Sequence, residues 1–325
     1  MKNILVTGGA GYVGSHACKA LAEAGYLPIT YDNLERGHAW AVQWGPLEEG
    51  DILDRERLDA VIRQYQPDAV MHFAAYAYVG ESVTAPEKYF RNNTTGSKTL
   101  LEAMRVHGIP FLVFSSTCAT YGNPVHIPIT EDHPQKPINP YGESKLQVEQ
   151  KLQEFHDKDN IRYISLRYFN AAGADPDRKI GEAHEPETHL VPLVLQTALG
   201  MQPAIEIFGA DYDTADGTCI RDYIHVSDLA DAHVNALVHL QKNGSSQSLN
   251  LGTGKGNSVR EIIAVARDVT GRDIPEKIAD RRPGDPPVLI ASAERATKLL
   301  DWQPQRSDIQ EIIETAWHWH NRKGT

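Results

Sequence analysis

The sequence predicts an α/β fold: a doubly wound parallel sheet followed by a smaller C-terminal α/β substrate region. Three observations lead there. Apolar strands and helical stretches alternate from the first residue. A glycine-rich turn separates the first strand from the first helix. Strands such as Phe111-Leu112-Val113-Phe114 are apolar on both faces, which a sheet covered by helices on both sides requires.

The elements follow in order. Asn3 to Thr7 is an apolar run ending in glycines, and Val13 to Ala24 is a helix stopped by Gly25. Leu27 to Tyr31 is the second strand. Leu58 to Ile62 has helical spacing, and Ala69 to Phe73 is a strand. One long helix is expected from Pro86 to His107. Phe111 to Phe114 is a strand, Tyr141 to Phe155 a helix and Tyr163 to Leu166 a strand. After Asn170 the texture changes, and Ala171 to Pro186 reads as a loop rich in Gly, Pro, Asp and Ala. Helices are then expected at Leu190–Leu199, Val226–Leu240, Val259–Val269 and Ile309–Asn321. Ser258 and Glu261 form a capping box for the third of these. This divides the chain into residues 1–170 and 171–325, with some later segments free to return to the first sheet.

The 325 residues carry 32 Lys+Arg against 43 Asp+Glu, a net charge of −11. That balance argues against nucleic acid as a partner, because nucleic acid selects a basic face, and against a polybasic membrane surface. An anionic substrate would need a local cationic pocket. No apolar run approaches the roughly 20 residues that span a bilayer. Cys18, Cys118 and Cys219 are far apart and form no CxxC pair, so reduced thiols and a cytoplasmic location are expected.

Thr7 to Gly14 reads G-x-x-G-x-x-G through Gly8, Gly11 and Gly14. Placed between strand and helix, such glycines let the backbone turn tightly and approach a pyrophosphate, while the helix N-terminus offers free amides. Asp32 ends the second strand. An acid there binds both ribose hydroxyls of NAD and repels the extra phosphate of NADP. Gly50-Asp51-Ile52, after a third strand, resembles the adenine contact of such folds.

Tyr141 and Lys145, at i and i+4, share one helix face. A phenol is a poor base at neutral pH, with an ordinary pKa near 10. A close ammonium, or the positive ring of an oxidised nicotinamide, is expected to lower that value and make Tyr141 a proton acceptor. The segment Phe114 to Gly122 starts at the C-terminal end of a strand, where such sheets build active sites. Thr117 there can hydrogen-bond a reacting oxygen. His184-Glu185 and His189 do not have the i, i+4 spacing of HExxH, and His318 and His320 at i, i+2 do not share a helix face, so no metal site is expected.

With these residues in place, the chain resembles the extended short-chain dehydrogenase/reductase family, which has a Rossmann-type sheet. Within it, the chain is similar to the UDP-glucose 4-epimerase family. The matching segments are TGGAGYVGSH, HFAA…VGES, FSSTCATYG, NPYGESK, LRYFNAAGA, DGTCIRDYIHVSDLADAH, NLGTGKGNSV and RRPGDP, nearly the length of the chain. The glycine loop and YxxxK are shared across the superfamily. RYFN, DGTxxRDYIHV and RRxGDP are far more specific.

The resemblance implies NAD as cofactor and inversion of C4 in a UDP-sugar, UDP-glucose or UDP-galactose, through a transient 4-keto sugar. It implies Tyr141 as the acid/base, Lys145 as the group holding the nicotinamide ribose and Thr117 as a bridge to the sugar. Gly8, Gly11, Tyr12, Val13, Gly14, Asp32, Asn33, Asp51, Ile52, Phe73, Ala74, Ala75, Asn92, Ser115 and Tyr168 match NAD-contacting positions. Ala77 stands where some members carry a lysine near the nicotinamide. Arg221 and Arg282 match diphosphate-binding arginines, whose forked donors suit phosphate. Asn170, His189, Leu190, Phe208, Tyr223, Asp285 and Leu289 match other substrate positions, and Leu289 stands where the family gates N-acetylated sugars. The resemblance also implies a homodimer through the helices near 86–107 and 141–155. The nearest alternative is a UDP-xylose/UDP-arabinose 4-epimerase, with the same chemistry on a sugar lacking C6. A sugar-nucleotide 4,6-dehydratase is disfavoured because Cys118-Ala119 stand where its Asp-Glu pair is expected. A non-catalytic NAD-binding regulator is disfavoured because Tyr141 and Lys145 are both present.

Overall fold

The computed structural model describes residues 2–282 and 284–322. Seven parallel strands form the main sheet in the order Gln247–Leu251, Arg162–Tyr168, Phe111–Thr117, Ala69–His72, Asn3–Thr7, Leu27–Asp32 and Leu47–Glu49. Strand order reverses beside Asn3–Thr7, and the crevice above the C-terminal strand ends there is where this architecture binds ligands.

Two apolar layers cover the sheet. On one face, Ala17, Cys18 and Leu21 of helix Tyr12–Glu23 pack with Leu229, Ala232, Ala236 and Leu240 of helix Val226–Gln241. On the other, Leu58 and Ile62 of helix Arg55–Tyr65 meet Leu100 and Met104 of helix Ser97–His107 and Val148 and Leu152 of helix Pro140–Asp159. The i, i+4 spacing of these pairs is what gives each helix one apolar face. A third core lies beyond the main sheet. It joins helices Leu190–Ala198, Val259–Thr270 and Ile309–His320 to Ile205 and Ile207 of a two-stranded sheet. The capping box at Ser258 and Glu261 is formed in both directions.

The structure departs from the sequence expectation in two places. The helix expected from Pro86 to His107 is divided into Pro86–Tyr89, a π-helical segment Phe90–Gly96, and Ser97–His107. The wide turn lets buried Asn93 bond the backbone N–H and C=O of Tyr76 and the hydroxyl of Ser144, which helical spacing alone does not encode. The short helices Val79–Thr84 and Glu294–Leu300 and the short strands after Asn170 were not expected, since two to seven residues carry little periodicity. Helix Val226–Gln241 and strand Gln247–Leu251, from the second half of the chain, complete the main sheet and its cover. No described helix is long and apolar enough to cross a membrane.

Candidate active site

The glycine loop ends the strand Asn3–Thr7 at the point of strand reversal. Gly8 has a φ of +75°, and a Cβ there would stand 2.5 Å from the Ala74 nitrogen. A Cβ at Gly14 would stand 2.1 Å from the Gly8 carbonyl oxygen. Both positions therefore demand glycine, and they draw the strand, the helix and the Phe73-Ala74-Ala75 turn together. Gly11 is the N-cap of helix Tyr12–Glu23, and no side chain caps it. The first-turn amides, Tyr12 and Val13 among them, are thus left to an anion. The Tyr12 hydroxyl donates to the Gly173 carbonyl, tying the loop to the second half of the chain.

Asp32 is buried beside this loop and accepts from the backbone of Ala10 at 3.0 Å and of Leu34 at 2.9 Å. Burial raises its pKa, and these amides oppose that rise. Asn33 donates to Asp51 at 3.1 Å, and Ile52 is buried. Phe73 packs on the His233 ring at 4.7 Å. Asn92 lies in the π segment and donates to Asn93, the residue that locks this segment in place. Asn93 was not among the expected site residues.

The second cluster is set by strand Phe111–Thr117 and helix Pro140–Asp159. Asn139 caps that helix by accepting from Gly142 at 2.8 Å, and Pro140 opens it. Tyr141, Lys145 and Glu149 then fall at i, i+4 and i+8 on the face toward the sheet. Lys145 is buried and donates from Nζ to the Ser115 carbonyl at 2.8 Å, 4.8 Å from the Phe114 ring centre. The Ser115 hydroxyl meets the Tyr168 hydroxyl at 2.6 Å. Tyr168 is paired in register with Thr117, which is buried at the strand end.

Lys145 does not lower the Tyr141 pKa as expected. Burial first, then neighbouring Tyr168, push the phenol well up, and the Thr117 hydroxyl only partly opposes them. Burial lowers the pKa of Lys145 as well, to about 7.

This shift has a consequence for stability. Between about 7 and the ordinary 10.5 the unfolded chain binds the extra proton at Lys145, so this residue's contribution to the stability of the cofactor-free protein rises with pH across that window, while His189, raised to about 10 by Glu182 and Glu187, contributes in the opposite sense. Lys145→Met is expected to abolish the rise, to unfold at a higher temperature than the parent at pH 7, and to lose turnover. Thermal unfolding of parent and variant from pH 7 to 10 checks this, and a difference between them that stays constant across the window would contradict it.

Glu149 was missed by the sequence reading, although its i+8 position on the same face was the available signal. It accepts from Ser116 at 2.6 Å, from Ser165 at 3.0 Å and from Arg167 Nε at 2.9 Å. Burial raises its carboxyl, but Arg167 and the hydroxyls outweigh burial and hold it below the usual carboxylate range.

The residues matched to diphosphate and sugar positions lie on the second half of the chain. Asn170–Ala172 pairs with Tyr223–His225, placing Asn170 against Tyr223. Leu289 is paired in register with Arg221. Arg221 is buried and its guanidinium is bonded to Asp285. The Arg282 guanidinium lies 4.0 Å from the centre of the Phe208 ring. Asp222, also missed, accepts from Thr253 N at 2.9 Å and Ala291 N at 3.1 Å and fixes the Arg221 strand between two loops. Leu190 opens helix Leu190–Ala198, with His189 as its N-cap. The His189 imidazole faces Glu182 and Glu187, which raise its pKa against the effect of burial. The 182–189 loop brings His184 and His189 together despite their unsuitable helical spacing.

A family model described as the NAD dependent epimerase/dehydratase family matches residues 4–252. The chain belongs to that family. Among similar members is a UDP-glucose 4-epimerase of Rhizobium meliloti (strain 1021), 52% identical over 321 residues, covering 99% of this chain and 98% of the relative. A UDP-glucose 4-epimerase from Brucella ovis in complex with NAD superposes with a TM-score of 0.96 at 51% identity, with 98% of each chain covered. A UDP-glucose-4-epimerase from Stenotrophomonas maltophila with bound NAD and formylated UDP-arabinopyranose gives 0.95 at 41% identity, again with 98% of each chain covered. In a family that spans epimerases and dehydratases, the residues following Thr117 carry weight: here they are Cys118 and Ala119, and neither is an acid.

Proposed function

We propose that the chain is a UDP-glucose 4-epimerase that uses NAD to invert C4 of UDP-glucose and UDP-galactose. The observation that carries the reading is the convergence of Tyr141, Lys145 and Thr117 at the sheet's C-terminal edge, between a dinucleotide loop and an arginine pocket. The residues present fit NAD. Uncapped amides at Tyr12 and Val13 suit a pyrophosphate, the Gly8 and Gly14 positions leave no room for side chains, and Asp32 suits a ribose diol.

When bound, NAD supplies a hydride acceptor that returns the hydride within the same turnover. The protein's own work is proton handling and grip. Tyr141 takes the proton of the sugar 4-hydroxyl and gives it back, and Thr117 orients that oxygen. Arg221 and Arg282 hold the diphosphate, so binding energy is placed away from the ring that must turn over as a 4-keto sugar. Asp285 releases Arg221 as the diphosphate arrives and is free to meet the ribose. Asp32→Ala removes an acceptor of charge-assisted bonds worth about 1.5–3 kcal/mol. Retention of NAD is expected to fall by roughly 10- to 100-fold, with the preference against NADP relaxed, as read by cofactor titration.

The test of the reading is incubation with UDP-galactose and with UDP-xylose, separately and without added cofactor, with the products resolved. UDP-glucose forming faster supports it. UDP-arabinose forming faster moves the assignment to the pentose enzyme, and no product from either overturns it. The reading includes a homodimer through the helices near 86–107 and 141–155, where Val106 on helix Ser97–His107 is exposed. Light scattering at the monomer mass would contradict that part. It also includes a cytoplasmic location, where the free thiols Cys18, Cys118 and Cys219 would stay reduced.

A further inference from the structure

We propose that Glu182, His184, Glu187 and His189 bind a divalent transition-metal ion of the zinc class, which pins the 182–189 segment over the dinucleotide loop. One ligand atom from each of the four lies within 4.8 Å of all the others. His189 Nδ1 is 2.8 Å from Glu182 Oε1 and 2.9 Å from Glu187 Oε1, and His184 Nδ1 is 3.0 Å from Glu182 Oε1. Zinc takes four nitrogen and carboxylate ligands at about 2.0–2.2 Å. The tetrahedron that follows needs its ligand atoms about 3.3–3.6 Å apart, so these three contacts must open by about 0.3–0.8 Å to admit the ion.

Charge supports the assignment. The Glu182 and Glu187 side chains are 4% and 6% exposed and meet at one point. Among the described residues neither forms an ion pair with Lys or Arg. Among these residues the positive charge facing the two carboxylates comes from His184 and His189 alone, and an ion held by the same imidazoles would take over that role. The supports around the cluster are already in place. Trp319 donates to the Glu182 carbonyl at 2.8 Å, and the backbone amides of Thr188 and His189 donate to Glu187 Oε1 at 2.8 and 2.9 Å. The His189 side chain is 42% exposed, which gives an entry path. The His184 ring meets Tyr12, at the start of the phosphate-loop helix, edge-on at 6.1 Å. Helical HExxH spacing was the wrong criterion for this segment, because it is a loop that folds back on itself.

The experiment is titration of the purified, chelator-treated full chain with Zn²⁺ against a chromophoric competitor, with thermal unfolding as a second readout. One equivalent is expected to bind and to raise the unfolding temperature. His184→Ala and Glu187→Gln are each expected to weaken binding by at least about 100-fold, the upper end of what outer partners alone cost. Failure of the wild-type chain to bind one equivalent overturns the proposal, as does binding left unchanged in either variant. If His184→Ala does not fold, the wild-type stoichiometry and Glu187→Gln decide. The readouts do not depend on turnover, so the epimerase reading can fail without affecting this site.

Discussion

Tyr141→Phe is expected to lower turnover of UDP-galactose by roughly 10²- to 10⁴-fold, the range supplied by a positioned acid/base, while NAD stays bound. The phenol sits where Thr117, Lys145 and the Ser115–Tyr168 pair converge, and the proposed function makes its hydroxyl the acceptor of the sugar's proton. Removing one oxygen leaves the ring against Tyr89, with centroids 6.5 Å apart, so the local packing survives. Cofactor retention therefore separates loss of chemistry from loss of structure. Burial raises the phenol, so the pH profile of the parent is expected to depend strongly on whether the nicotinamide is oxidised. Epimerisation within about tenfold of the parent, less than an acid/base residue contributes, would remove Tyr141 from its role.

Glu149→Gln is expected to destabilise the fold by about 3–5 kcal/mol, the cost of leaving a buried charge without its partner. The side chains of Glu149 and Arg167 are each 6% exposed, and the glutamine keeps the shape while removing the anion that Arg167, Ser116 and Ser165 all address. The folded carboxyl titrates below its unfolded value of about 4.5. Its stabilisation is therefore complete above that value and lost as pH falls through the folded pKa. Denaturant unfolding at pH 7 and at progressively lower pH should show the gap between parent and variant closing in acid. A second variant, Glu149→Leu with Arg167→Leu, is expected to recover much of the lost stability, because a buried ion pair adds little over apolar packing. Such a variant would still move Ser116, next to Thr117, and should remain slow. If Glu149→Gln alone unfolds at the parent's denaturant midpoint, the network carries no such energy.

Much of the site was legible because its signals are local. The Gly8-Gly11-Gly14 spacing and Asp32 at the next strand end follow from a single strand-turn-helix-strand unit. Tyr141 and Lys145 share a face because they stand four residues apart on one helix. The same rule read one turn further would have reached Glu149, whose partners, however, come from strands Phe111–Thr117 and Arg162–Tyr168. The π segment was not legible, because Asn93 earns its place through Tyr76 and Ser144, residues 17 and 51 positions away.

The sequence by itself determined the alternation of strands and helices, the phosphate loop, the Tyr141–Lys145 pair and the family resemblance. The first three depend on spacing within about thirty residues, where backbone geometry leaves few choices, and the resemblance rests on motifs spread over nearly the whole chain. Only the tertiary structure decided that Gln247–Leu251 closes the edge of the main sheet, that Asp285 meets Arg221, and that His184 and His189 face the same two carboxylates. It also decided that Lys145 is driven toward neutrality rather than left as a full charge beside Tyr141. Burial and long-range pairing set these outcomes, and neither is a property of neighbouring residues along the chain.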